Sequence, residues 1–262
     1  MYLDREKLLA HINDSEKITL LRRMIDLMEI ALKNHQVQYS DFLDPYELKL
    51  TQEIANSIFD LKTDVSEVGP ENERCIIAFG PEYMEFSAND ELALLKIESS
   101  MSILTHRSIL GSLLGLGIAR DRVGDISVHG EFAHVLVKRE IADYLLVFLK
   151  KVGRNNVQVK ELSLSKYEPS RENFSIHESV ISSNRLDAFV ASIYRMSRQK
   201  AKTLIESERV KVNFKTETKA NTEVEEGALI SVRGFGRSIF ESSHGRTRKD
   251  RLKITYKLLN EE

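Results

Sequence analysis

Apolar residues in the first part of the chain recur at helical spacing. Leu8, Leu9 and Ile12 form one set, and Leu20, Leu21, Met24, Ile25, Leu27 and Met28 a longer one, the mark of a helix with one buried face. Asp44-Pro45 predicts a further helix start, with Asp44 as the cap and Pro45 at the first helical position. Leu48, Ile54, Ile58 and Phe59 supply its expected buried face. Gly69-Pro70 then breaks the chain. Beyond it, residues 74–79 and 92–97 read as strands, 106–116 as a helix, and 125–128 and 132–137 as paired strands. Residues 140–152 read as a helix and 157–164 as a strand. From residue 92 the order is β-α-β-β-α-β, the ferredoxin-like split unit, with 74–86 as a hairpin at its edge. Residues 166–183 carry Pro169 and several Ser, Asn and Glu, and read as a linker or docking strand.

Two short helices and a small β-element are predicted next. Leu186, Phe189, Val190 and Ile193 line the first helix, and Ser197 caps the second, in which Ala201, Leu204 and Ile205 point inward. Val210, Val212 and Asn213 enter a strand and turn, and Val224, Ile230 and Val232 complete a small sheet. The predicted class is α/β (α+β). Its expected parts are a helical region over 1–72, a ferredoxin-like domain over 73–166, a linker over 167–182 and a C-terminal module over 183–262.

Composition narrows this picture. The 262 residues suit two domains, or one large one with an appendage. A single cysteine, Cys75, excludes an intramolecular disulfide and fits a reducing compartment. The N-terminus is too charged for a signal peptide, and the apolar runs near 113–119 and 144–149 are too short to span a bilayer. A cytoplasmic protein with no membrane attachment is expected. The net charge of −2 conceals an asymmetry, with 17 Lys/Arg against 11 Asp/Glu from Ser183 onward and 21 against 29 before it. A basic third on an acidic body suggests a face made for a polyanion.

The cations concentrate where an anion is favoured. Arg198, Lys200 and Lys202 follow the Ser197 cap, and a helix N-terminus itself attracts phosphate. Arg233-Gly234-Phe235-Gly236-Arg237 comes later, followed by Arg246, Arg248, Lys249, Arg251, Lys253 and Lys257. Phe235 and Phe240 are each placed either to stack on a base or to fill the core.

Arg185-Leu186-Asp187, Ser197-Arg198 with Ala201, Val210-Lys211-Val212-Asn213 and Gly227 together resemble the S4 domain, an RNA-binding module. Two departures are visible: Glu208 stands where the family often has Gly, and Gly227-Ala228 where it has Gly-Asp. The resemblance extends further. His106-Arg107, Leu110-Gly111, Leu116-Gly117-Ile118, Arg120 and Gly124-Asp125-Ile126, with Asp44-Pro45 and Glu73-Arg74, look like the YlmH family of bacterial S4-domain proteins. That resemblance implies an RRM-like middle domain and association with the large ribosomal subunit. It also implies a connection with stalled complexes bearing peptidyl-tRNA, and with cell division. The expected partners are then rRNA and tRNA, with a division protein as a further contact. The expected RNA-binding residues are Arg185, Arg198, Lys200, Lys202, Lys211, Arg233 and Arg237, with Asn213 forming the neighbouring turn. In the middle domain the sheet is expected to act as a scaffold, and Arg107, Arg120 and Arg122 are candidate backbone contacts.

Enzyme readings are weaker. Arg185-Leu186-Asp187 is similar to the catalytic triplet of RNA pseudouridine synthases, but here it opens the S4-like helix and no large catalytic domain follows. Arg195-Met196-Ser197-Arg198 has no ATP-binding partner motif, and Gly115-Leu116-Gly117 lacks the third glycine of a dinucleotide loop. The histidines are scattered, although His106, His129 and His134 can approach one another, and Cys75 has no partner thiol. No catalytic residue, cofactor or metal is expected. The alternatives are an S4-bearing RNA-modifying enzyme and an interaction scaffold linked to division.

Overall fold

A computed structural model of the chain describes residues 3–10, 12, 14–69, 72–99, 103–170 and 174–259. It divides into two units, Met1–Ser170 and Arg171–Glu262. The first unit opens with α1 (Arg5–Leu9), α2 (Ser15–Asn34), β1 (Gln38–Tyr39), α3 (Pro45–Ala55), β2 (Leu61–Val65) and β3 (Ile77–Pro81). Leu21, Met24, Ile25 and Met28 of α2 pack on Ile54 of α3 and on Ile77 and Phe79 of β3. The cap of α3 is reciprocal: the Glu47 N–H donates to Asp44 Oδ1 and the Asp44 N–H to Glu47 Oε2, both at 2.9 Å. Four end groups of a helix lack internal partners, and this box satisfies two donors at once.

The N-terminal region is not wholly helical. β1 and β2 flank β3 in a three-stranded antiparallel sheet. Residues 74–86 therefore form no hairpin on the middle domain, because β3 pairs with strands from the preceding sequence. Phe59, expected on the inner face of α3, lies beyond the end of that helix and is exposed.

The ferredoxin-like order follows: β4 (Leu92–Ser99), α4 (His106–Gly115), β5 (Val123–His129), β6 (Phe132–Lys138), α5 (Arg139–Phe148), β7 (Lys151–Val152) and β8 (Asn155–Leu162). The antiparallel sheet runs β5-β6-β4-β8-β7. Alternation along β4 and β6 feeds two cores. Leu95, Ile97, Val135 and Val137 meet Ile109, Leu113, Ala142 and Leu145 of the helices. On the opposite face Leu92, Leu94 and Leu136 meet Phe42 and Ile76 of the preceding region. Gly124 permits that contact, since a Cβ there would lie 2.5 Å from the Phe42 ring.

Buried polar groups join the same two regions. Lys138 Nζ donates to Ser40 O at 3.1 Å and lies 3.6 Å from both Asp41 and Glu91. Asp41 also meets Arg122 at 3.1 Å and Arg23 at 2.7 Å. Asp125 accepts from the Asn72 side chain at 2.9 Å and from the Glu73 and Arg74 N–H groups at 2.8 and 3.2 Å. Burial raises the Asp125 carboxyl despite those donors.

The second unit contains β9 (Phe174–Ile181), α6 (Leu186–Ile193), α7 (Arg198–Glu206), β10 (Val210–Val212), β11 (Lys215–Thr216), β12 (Leu229–Val232), β13 (Gly236–Arg246) and β14 (Leu252–Leu259). Its antiparallel sheet runs β11-β10-β12-β13-β14-β9. The helices cover one face, where Phe189 and Phe240 meet at 5.4 Å among Leu186, Ile205, Val210 and Ile230. Much of the expected linker is thus a strand, β9, paired with β14 over eight residues. The expected basic extension is likewise part of the sheet, as β13 and β14.

Candidate nucleic-acid interface

Two of the expected cations share one anchor. Arg185 precedes α6 and donates through Nε and Nη2 to the two oxygens of Asp187, each at 3.1 Å, while Arg198 at the start of α7 reaches Asp187 Oδ2 at 2.7 Å. Burial alone would raise the Asp187 carboxyl, but these hydrogen bonds prevail and hold it below the usual aspartate range. Both arginine side chains remain about half exposed, at 44% and 52%. Asp187 therefore fixes their direction and leaves their outer edges open to a phosphate, an ordering that bidentate guanidinium recognition exploits.

This clamp has a pH signature. A carboxyl depressed by folding contributes stability above its unfolded value, near pH 4, and loses it as pH falls through the folded value. The melting-temperature difference between the wild type and Asp187→Asn is expected at pH 6 and should shrink towards pH 3. Thermal melts across that range check it, and a constant difference would separate Asp187 from the acid response.

Ser197 caps α7 as expected, accepting from the Lys200 N–H at 3.1 Å. The Lys200 ammonium lies 5.4 Å from the centre of the Phe235 ring, which meets the Tyr194 ring at 64° with centres 5.9 Å apart. Phe235 sits in the turn from β12 to β13 and is 38% exposed, whereas Phe240 is fully buried. Of the two aromatic candidates, Phe235 is available to a base and Phe240 fills the core. Arg233, in the same turn, donates its N–H to Arg209 O at 2.9 Å, and the Arg209 guanidinium returns to Arg233 O at 3.2 Å. Arg209 thus joins the cluster, although no motif in the chain marks it. Lys202 is exposed on α7 and pairs with Glu206 at 3.6 Å.

Lys211 and Arg237 stand elsewhere. The registers Lys211↔Ser231 and Ser231↔Arg237 put them in one row across β10, β12 and β13. Val210, Ile230 and Val232 point into the helix-covered core, so the row faces away from it. Arg237 lies 5.7 Å from the Phe214 ring. Asn213 and Phe214 both have positive φ, at 48° and 67°, the geometry of a two-residue hairpin turn. Asn213 Oδ1 accepts from the Leu229 N–H at 2.8 Å, tying that turn to β12. The expected residues therefore form two patches, one at the helix starts and one on the outer sheet face.

Both departures from the S4 pattern fall in turns that form. Glu208 has φ 60°, the left-handed conformation that explains a family glycine. Gly227 has φ 85°, and Ala228 after it packs in the core. The later cations are partly engaged: Arg246 pairs with Asp250 at 2.9 Å and Lys257 with Glu241 at 2.7 Å. Arg248, Lys249 and Arg251 are exposed around the β13–β14 turn.

The middle-domain arginines need correction. Arg120 donates to the carbonyls of Val123 and Gly124, and burial lowers its pKa to about 10. Arg122 is held by Asp41 and Glu140. Both are ties within the fold, and Arg107 alone of the three is exposed. His129 and His134 meet at 5.6 Å, but His134 is buried and its Nδ1 accepts from the Glu168 N–H at 3.2 Å. Among the described residues no group of three His, Cys, Asp or Glu is placed to hold a metal. Nor is any described helix long and apolar enough to cross a membrane.

Comparison with known proteins places these observations. Residues 16–84 match a family model described as "YlmH, N-terminal", residues 81–166 one described as "Putative RNA-binding domain in YlmH", and residues 184–230 the S4 domain. A solved structure, "Cell division protein ylmH from Streptococcus pneumoniae", aligns with TM-score 0.54 at 23% identity. It covers 59% of this chain and 96% of its own, and at that identity speaks for the fold alone. A Bacillus subtilis (strain 168) protein named "Ribosome-associated protein quality control protein P2" is 30% identical over 249 residues, 94% of this chain and 96% of its own length. With that relative aligned almost end to end, the chain belongs to the YlmH family.

Proposed function

We propose that this protein binds structured RNA without catalysis, on rRNA and tRNA of the large ribosomal subunit, where it acts on stalled translation complexes. The observation that carries the reading is the helix-start cluster, in which Asp187 orients Arg185 and Arg198 beside Lys200, exposed Phe235 and Arg233. Oriented cations with an aromatic side chain suit a folded phosphate backbone carrying an unstacked base. The name of the Bacillus subtilis relative supports the ribosomal setting. The non-catalytic reading draws support from Asp187, whose carboxylate is buried and bonded to two guanidinium groups, a poor position for a nucleophile.

Crosslinking in growing cells, followed by sequencing of the attached RNA, tests the assignment. Reads concentrated on large-subunit rRNA and tRNA are expected. Absence of RNA with a working control would overturn the reading in favour of a scaffold for division proteins. In vitro, Arg198→Ala with Lys202→Ala should weaken rRNA binding about tenfold and reduce the salt slope by about two contacts. Unchanged affinity and slope would remove α7 from the interface.

A further inference from the structure

The helical face of the middle domain exposes apolar surface that the RNA-binding reading does not use. Leu114 of α4 and Tyr144, Val147 and Phe148 of α5 are exposed, Val147 at 57% and Phe148 at 55%. Tyr144 and Phe148 pack with ring centres 4.6 Å apart, and the Tyr144 hydroxyl donates to Leu116 O at 3.4 Å, tying α5 to the end of α4. Beside Phe148 opens a groove of about 330 Å³, lined by Ser112, Gly115, Leu116 and Phe148 together with Lys150 and Lys151. Clustered apolar side chains beside a concavity mark an interaction site more often than scattered ones do.

Two further observations specify the occupant. Gly111 and Gly115 lie one helical turn apart on α4, and a Cβ at either would meet nothing within 4 Å. Packing within the chain gives no reason for them, although glycine disfavours a helix. Bare backbone on a helix lets another helix approach closely. The lining is basic at one end, where Lys150 and Lys151 are exposed, and Arg154, also exposed, follows them in the chain. No carboxylate lines the groove among the described residues; on α5, Asp143 is exposed and Glu140 pairs with Arg122. We propose that this groove receives an amphipathic helix from a partner protein, apolar on one face and acidic along its flank. An RNA strand would satisfy the lysines but leave Leu114 and Val147 in water, so a protein fits the surface better. The proposal is independent of the RNA-binding reading, which rests on the other unit.

The full chain tests it by fluorescence anisotropy with three labelled probes. These are a helix of about 18 residues, or five turns, with a leucine face and glutamate flanks, the same helix with lysine flanks, and a single-stranded RNA. Saturable binding of the glutamate helix, stronger than that of the lysine helix, is expected. Val147→Ser with Phe148→Ser should weaken it at least about tenfold. Gly115→Leu should weaken it similarly without lowering Tm, which separates a blocked groove from a damaged fold. Lys150→Glu with Lys151→Glu should shift the preference to the lysine helix. Equal binding of both helices, or of neither, overturns the proposal. So does RNA binding that depends on Val147 and Phe148, which would make this a nucleic-acid face. Self-association lost in Phe148→Ser would overturn it in favour of a second copy.

Discussion

Phe240→Ala is expected to lower the melting temperature of the C-terminal unit by about 20 °C and to abolish RNA binding at physiological temperature. Phe240 is fully buried, and its ring meets Phe189 from the first helix of the unit. Truncating a buried phenylalanine costs about 4 kcal/mol, through lost transfer energy and the cavity left behind. A unit of this size has little stability to spare, and each kcal/mol moves its melting point by about 5 °C. Phe235→Ala is the matched control, because Phe235 is partly exposed in a turn. It should leave the melt unchanged and weaken RNA binding through loss of a stacking surface, by about 1 kcal/mol or more. Circular dichroism melts and RNA titrations on both variants check the pair. Equal effects would mean that the two rings do not divide into core and surface roles.

Lys138→Ala is expected to destabilise the first unit by about 3 kcal/mol, a fall of about 9 °C in its melting temperature. Lys138 is 5% exposed and its ammonium touches Ser40 O, Asp41 and Glu91. Removing it strands part of a buried acidic environment, although Arg23 and Arg122 still reach Asp41. Lys138→Met keeps most of the apolar stem and should recover part of the loss. Were alanine and methionine equally mild in denaturant melts, the ion network would be dispensable to this unit.

The sequence pattern exposed the long helices and the ferredoxin-like order because each depends on a strong local period. Residues 20–28 repeat their apolar positions as α2 requires, and Asp44-Pro45 marks the start of α3 by local chemistry. β2 escaped because all five of its residues are half-buried, so Leu61–Val65 shows no clean alternation. β9, within the stretch read as a linker or docking strand, was less legible for a different reason. Its Phe174, Ile176 and Val180 point outward and are exposed, while Ser175 and Ser179 are the less exposed residues, reversing the usual rule. In β14 the alternation is present in Leu252, Ile254, Tyr256 and Leu258, but Lys253 and Lys257 between them give the segment the composition of a basic tail. The helix-start cations were legible from the Ser197 cap. The link from Arg185 to Arg198 through Asp187 spans 13 residues and depends on how α6 packs on α7, which periodicity does not encode.

The N-terminal and middle family models meet at residues 81–84, yet the matter between them is continuous. Phe42 and Ile76 complete the core under Leu94 and Leu136, and Asp41 is one of two counter-ions of Lys138. A gene break at that boundary would give each half a wet apolar face, and would leave Asp41 with Arg23 alone and Lys138 with Glu91 alone as ion partners. These two parts can be inherited only together. The S4 module, whose apolar residues close on one another, is the piece that recombination can lend or borrow.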